Sequence, residues 1–137
     1  MSQVKTLTYE PIPRTEYQMR VLMIEDSAVL RRLIVTCFRD FGAEFEAQRL
    51  PHSSQRIGGF PEADLVVIGI YQPFAVGLSI IQRLRQRTDP PALVAITTDT
   101  REDSIQEILD SGVDAVVKMP FRPDELRAAA RSALGRE

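Results

Sequence analysis

Leu65-Val66-Val67-Ile68-Gly69-Ile70-Tyr71-Gln72-Pro73 is the stretch that decides how this chain folds. Its apolar start is the short, uninterrupted run that a strand covered on both faces requires. Pro73 has no N–H to give to a ladder, so the strand must end nearby. An earlier run, Arg20-Val21-Leu22-Met23-Ile24, closes instead on Glu25-Asp26-Ser27. Two buried strands therefore finish at one rim of a sheet, one in acids and the other in a glycine.

Outward from these runs, strand and helix patterns alternate. Ser27 is placed to cap a helix with the apolar stripe Leu30, Leu33, Ile34, Cys37, Phe38 and Phe41, stopped by Gly42. Glu44 to Arg49 alternates weakly, as an edge strand does, and His52 to Phe60 holds a short, poorly specified helix before the next strand. A helix is expected near Gly77–Arg87, then a buried strand Leu93–Thr97 after Asp89-Pro90-Pro91. Arg101 to Ser111 reads as a helix facing inward through Ile105, Ile108 and Leu109, with Gly112 closing it. Ala115–Lys118 is the last strand, and Pro123 suits the first turn of a helix lined by Leu126, Ala129, Ala130 and Ala133. Five strand–helix pairs predict an open, doubly wound parallel sheet in three α/β/α layers, with its site outside the carboxyl ends of the strands. Residues 1–19 are polar and broken by Pro11 and Pro13, and read as a flexible arm ahead of a domain spanning 20–137.

Composition narrows the function. The chain has 137 residues, 44% hydrophobic and 26% charged, with net charge −2, so no general electrostatic pull toward nucleic acid or anionic membrane is expected. One cysteine, Cys37, rules out an internal disulfide and suits a reducing cytoplasmic setting; it falls on the core stripe. The single histidine, His52, leaves no multi-histidine metal site, and no nucleophile–base pair can be assembled, so an enzyme is not expected. No apolar stretch reaches the roughly 18–20 residues of a membrane span. Arg83, Arg85 and Arg87 point in different directions around their helix and read as solvated surface.

From about Arg20 to Leu134 the chain resembles the receiver domain of bacterial two-component response regulators, the chemotaxis-regulator type. Glu25 and Asp26 match the acidic pair that ends the family's first strand. Gly69 falls where the family carries its phospho-accepting aspartate, with Pro73 and Gly77 at the proline and glycine that follow. Thr97 matches the switch threonine or serine. Gly112-Val113-Asp114-Ala115-Val116-Val117-Lys118-Met119-Pro120-Phe121 aligns without a gap to the fifth-strand signature. Val116 then takes the place of the switch aromatic, Met119 that of the lysine, and Pro120 that of a proline that is cis in the family. The resemblance implies a flavodoxin-like five-stranded sheet of order 2-1-3-4-5 with five helices.

It also implies a depleted, pseudo-receiver site. In the family an acid, the acceptor carboxylate and a backbone carbonyl hold magnesium, which needs hard oxygen ligands. Here Glu25, Asp26 and the Tyr71 carbonyl remain, with Asp26 a weak candidate ligand, so little magnesium affinity and no other cofactor are expected. Losing an acid at Gly69 relieves the mutual repulsion of clustered carboxylates, which makes Met119 tolerable where lysine is usual. Lys118 is one place early, and strand alternation turns it to the side of Val116 and away from the acids. Val116, stiff at χ1 and small, has little to swing inward behind Thr97.

The function expected is therefore a receiver-like protein-interaction module of a two-component system, acting without aspartyl phosphorylation. The chain ends just after its last helix, so no output domain is expected. A histidine kinase, a regulator or an output protein is the partner type implied, with a homodimer through the same face as a further option. Gln106, Lys118, Arg122 and Glu125 are the candidate contacts on the face made by the fourth helix, fifth strand and fifth helix. A relay that moves its acceptor to Asp26 or Asp99, and a small-ligand site in the room left at Gly69, are the alternatives. No glycine-rich phosphate loop supports the latter.

Overall fold

The computed structural model describes residues 19–51 and 59–135. Strands β1 (Met19–Ile24), β2 (Ala43–Gln48), β3 (Leu65–Gly69), β4 (Ala92–Thr97) and β5 (Ala115–Lys118) form one sheet. Its order is β2-β1-β3-β4-β5 and every neighbouring pair is parallel. Helices α1 (Ala28–Cys37), α2 (Ala75–Arg85) and α3 (Glu102–Asp110) connect strands among the described residues, and α4 (Pro123–Leu134) follows the last strand. The flavodoxin-like order 2-1-3-4-5 is thus the expected one. The fifth helix expected over His52–Phe60 falls largely outside the described residues, and Gly59 and Phe60 are not helical.

The three central strands are buried because each face of the sheet carries its own core. Val21, Met23, Leu65, Val67, Val94, Ile96 and Val117 pack on the side of α1 and α4. Their strand neighbours Leu22, Ile24, Val66, Ile68, Leu93 and Ala95 pack with Ile80, Ile81, Leu84 and Ile108 on the side of α2 and α3. Successive residues turn to opposite faces, so both parities must be apolar, which is why these strands read as unbroken hydrophobic runs. Each fully buried Ile or Leu contributes about 1.5–3 kcal/mol. The edge strand β2 has no fully buried residue and alternates half-buried and exposed positions over most of its length.

Local signals set the helix ends. Ser27 Oγ accepts the Leu30 N–H at 3.2 Å and caps α1. The helix ends at Cys37 and is followed by a 3-10 turn, Arg39–Phe41, so Gly42 (φ 63°) closes that turn and not the helix itself. Pro123 opens α4, with the Glu125 carboxylate accepting the Arg122 N–H at 2.6 Å. On α3 the inward residues are Ser104 and Ile108, one helical turn apart, with Ile105 half-buried; Leu109, expected inside, is 38% exposed.

Two arginines read as solvated surface are structural. Arg85 donates to the Gly112 carbonyl and, at 3.1 Å, to Asp114, fastening α2 to the turn before β5. Arg87 donates to the carbonyls of Phe60 and Pro61. Cys37 is buried in the core, and burial pushes its thiol pKa up.

Candidate functional site

Register brings the two informative strand ends together. Ile24 pairs with Ile68, so one step further along β1 and β3 stand Glu25 and Gly69. Gly69 in turn pairs with Ile96, which places Thr97 at the same rim. In a parallel doubly wound sheet this is the end where ligands and chemistry gather.

Glu25 is 2% exposed, and both of its carboxylate oxygens have donors. The Tyr71 hydroxyl donates to Oε1 at 2.6 Å, and the Ser27 N–H donates to Oε2 at 2.9 Å. Burial, followed by the hydrogen bond to Glu25 and the charges of Glu25 and Asp26, pushes the Tyr71 phenol well above the ordinary tyrosine range. The phenol therefore stays protonated and donating. Arg31, one turn into α1, donates to the backbone carbonyls of Glu25 and Asp26 at 2.7 and 2.9 Å, satisfying the acceptors just past β1. Asp26 is exposed, and its Oδ1 accepts the Leu50 N–H at 2.8 Å.

Tyr71 and Glu25 fill the room beside Gly69. A Cβ added at Gly69 would overlap Glu25 Oε1 and lie 2.7 Å from Tyr71 Cε2 and 2.8 Å from Tyr71 Oη. Gly69 is needed here for close approach, not for a special backbone angle. Tyr71 was named in the sequence only for its carbonyl. The signal for its side chain was alternation, since residues 69 and 71 share a parity and an aromatic two places on can reach the empty position.

The remaining candidates lie around this centre. Thr97 is fully buried and its Oγ1 accepts the Asp99 N–H at 3.1 Å. Asp99 accepts from Arg101, Ser104 and Gln72, and the Arg101 guanidinium foremost holds its carboxyl well below the usual range. Val116 is half-buried against the α2/α3-side core, and Lys118, of the same parity, is exposed. Met119 is half-buried and its N–H donates to the Thr97 carbonyl at 2.8 Å. The Met119–Pro120 peptide is cis, as is Gln72–Pro73. Gln106, Arg122 and Glu125 are exposed, but the Gln106 amide is engaged with Asp110 at 2.8 Å and Glu125 with the start of α4. Among the described residues no three His, Cys, Asp or Glu side chains are gathered as a metal site.

A doubly wound parallel α/β domain with its polar groups at the carboxyl rim is the flavodoxin-like class of signalling and ligand-binding folds. Within that class, the model of the response regulator receiver domain matches residues 21–131, and the chain belongs to that family. Among curated proteins it is 29% identical over 119 residues to the virulence transcriptional regulatory protein PhoP of Salmonella typhimurium, covering 86% of this chain and 53% of PhoP. The chain spans about half the length of the curated relatives it matches. The fold is shared with the chemotaxis response regulator CheY4 of Vibrio cholerae, at TM-score 0.68 and 20% identity over 85% of this chain and 98% of that one. It is shared too with HP1043, an orphan response regulator of H. pylori, at TM-score 0.68 and 20% identity over 85% and 96%. Receiver domains work as signalling modules that engage kinases and output domains. No helix among the described residues is long and apolar enough to cross a membrane.

Proposed function

We propose that this protein is a receiver-like interaction module that signals without aspartyl phosphorylation. The observation that carries the reading is the contact set at Gly69: the place of an acceptor side chain is taken by the Tyr71 phenol and the Glu25 carboxylate. A glycine offers no oxygen for an acyl phosphate. The space a small ligand would need is occupied by Tyr71, which speaks against a ligand site there.

Magnesium fits this rim poorly. It requires near-octahedral oxygen coordination at about 2.0–2.1 Å and commonly uses more than one carboxylate or phosphate oxygen. Glu25 spends one oxygen on Tyr71 and the other on Ser27, Asp26 turns one to Leu50, and Gly69 supplies none. No step of the proposed function runs through the ion.

What remains is recognition, and the exposed face of α3, β5 and α4 is the surface we assign to it. Lys118 puts an exposed cation there, while Arg122 is paired with Asp124 at 3.4 Å, so an acidic group opposite Lys118 on a kinase, regulator or output protein is the matching chemistry. Incubation with acetyl phosphate and magnesium, followed by intact-mass measurement, is expected to give no adduct. Calorimetric titration with magnesium is expected to show no tight binding. A stable phosphoryl adduct, on Asp26, Asp99 or elsewhere, overturns the reading. Lys118→Glu is expected to weaken capture of the cognate partner; unchanged affinity removes this surface from consideration.

A further inference from the structure

Asp99 carries more hydrogen bonds than its place in a connecting loop requires. Its Oδ1 accepts from the Arg101 backbone N–H and from Arg101 Nε, each at 3.1 Å. Its Oδ2 accepts from Arg101 Nη2 at 2.8 Å, Ser104 Oγ at 2.9 Å and Gln72 Nε2 at 3.3 Å. Its own N–H returns to Thr97 Oγ1 at 3.1 Å. An ionised carboxylate has about four lone-pair sites, so five donors saturate it. The carboxylate is also mostly sheltered, with 12% of the side chain exposed against 66% for Arg101.

Three parts of the rim meet at this one group. Thr97 ends β4, Ser104 is a buried residue in the first turn of α3, and Gln72 lies in the loop that leaves Gly69 and Tyr71. Helix α3 has no side-chain cap from its own N-cap residue, Arg101. Asp99 instead grips the start of the helix from outside, through the Arg101 N–H and the Ser104 hydroxyl, where negative charge is favoured by the helix dipole. An ordinary local cap would stop there; the Gln72 contact extends it to a second loop.

We infer that Asp99 is a positioning residue that clamps α3 to the loop following Gly69, holding the α3 edge of the partner face in one arrangement. The inference rests on the reading that no phosphoryl group arrives to draw these loops together. It supplies a reason for a fixed signalling surface in a domain with nothing to sense: the loops are joined by a permanent anion within the chain, in a role a transferred group would otherwise fill.

Amide hydrogen exchange of the whole protein, in buffer free of any phosphodonor, tests this with two variants. Asp99→Asn keeps the volume and removes the charge that its donors prefer. Exchange is expected to quicken about tenfold or more in both 102–106 and 70–76, and clearly less in β1, as follows from losing hydrogen bonds to a charged acceptor. Gln72→Ala lies outside α3 and removes the 3.3 Å bond to Asp99, yet is expected to quicken exchange in 102–106 about threefold. Wild-type exchange in 102–106 for Gln72→Ala reduces Asp99 to a cap of its own helix and overturns the clamp. Equal acceleration of β1 in Asp99→Asn overturns it as well, by showing global destabilisation. Neither result bears on phosphorylation, which the mass measurement decides separately.

Discussion

Removing one oxygen atom probes the centre of this site. Tyr71→Phe keeps the ring that fills the space at Gly69 and deletes the hydroxyl that donates to Glu25 at 2.6 Å. Glu25 is 2% exposed, so water cannot readily replace the lost donor, and the Ser27 N–H is left serving the other oxygen alone. A hydrogen bond to a charged group contributes about 1.5–3 kcal/mol, and the half-buried position of Tyr71 puts the expected loss near 2 kcal/mol. For a chain of this length that corresponds to a fall in Tm of roughly 6–8 °C. Urea titration should lower the midpoint without changing the m-value, since the packing of the ring is retained.

The pH dependence adds a second readout. The folded pKa of Tyr71 lies above its unfolded value of about 10, so its contribution is complete below that pH. As pH rises past about 10, the unfolded chain gives up the phenol proton that the folded chain keeps, and the stability of the wild type falls. Tyr71→Phe should lose that component of the alkaline slope. A variant within about 0.5 kcal/mol of the wild type, with the same alkaline slope, would refute the reasoning, because that is the range of an inconsequential surface change.

Gly69→Ala asks whether the room is truly filled. A methyl there must displace the Glu25 carboxylate and the Tyr71 ring, so a loss of about 1–3 kcal/mol by chemical denaturation is expected, the usual cost of overpacking. Adding Tyr71→Ala to Gly69→Ala should cost less than the two single losses summed, since the second change makes room for the first. Asp99 is expected to stay ionised where ordinary aspartates are half-titrated, near pH 3.9, as read by carboxyl chemical shifts. Its folded pKa is depressed, so its contribution is complete above about pH 3.9 and is lost only as pH falls toward the folded value. Asp99→Asn should remove that part of the acid-limb slope.

The architecture was legible because it rests on signals that tertiary context does not overrule. Leu65–Ile68 and Val21–Ile24 are apolar at both parities, and a strand with two dry faces has few homes other than the middle of a parallel sheet. Ser27 as a cap and Pro123 at a first turn follow from the orphan N–H groups of any helix. The helix ends were less legible: α1 stops at Cys37 and a 3-10 turn intervenes before Gly42, a distinction that local sequence does not encode sharply. Leu109 was read as core with Ile105 and Ile108 on one helical face, whereas the buried residues of α3 are Ser104 and Ile108.

By itself the sequence determined the sheet, its order through family likeness, and the convergence of Glu25, Gly69 and Thr97 on one rim, since all of these depend on periodicity and register along the chain. Only the tertiary structure decided what the side chains at that rim do. Tyr71 meets Glu25 across 46 positions, Arg85 reaches Gly112 across 27, and Asp99 takes a donor from the Gln72 loop 27 positions away as well as from α3. Such bonds depend on angstrom-scale distances between segments far apart in the chain, and a pattern of residue types carries no distances.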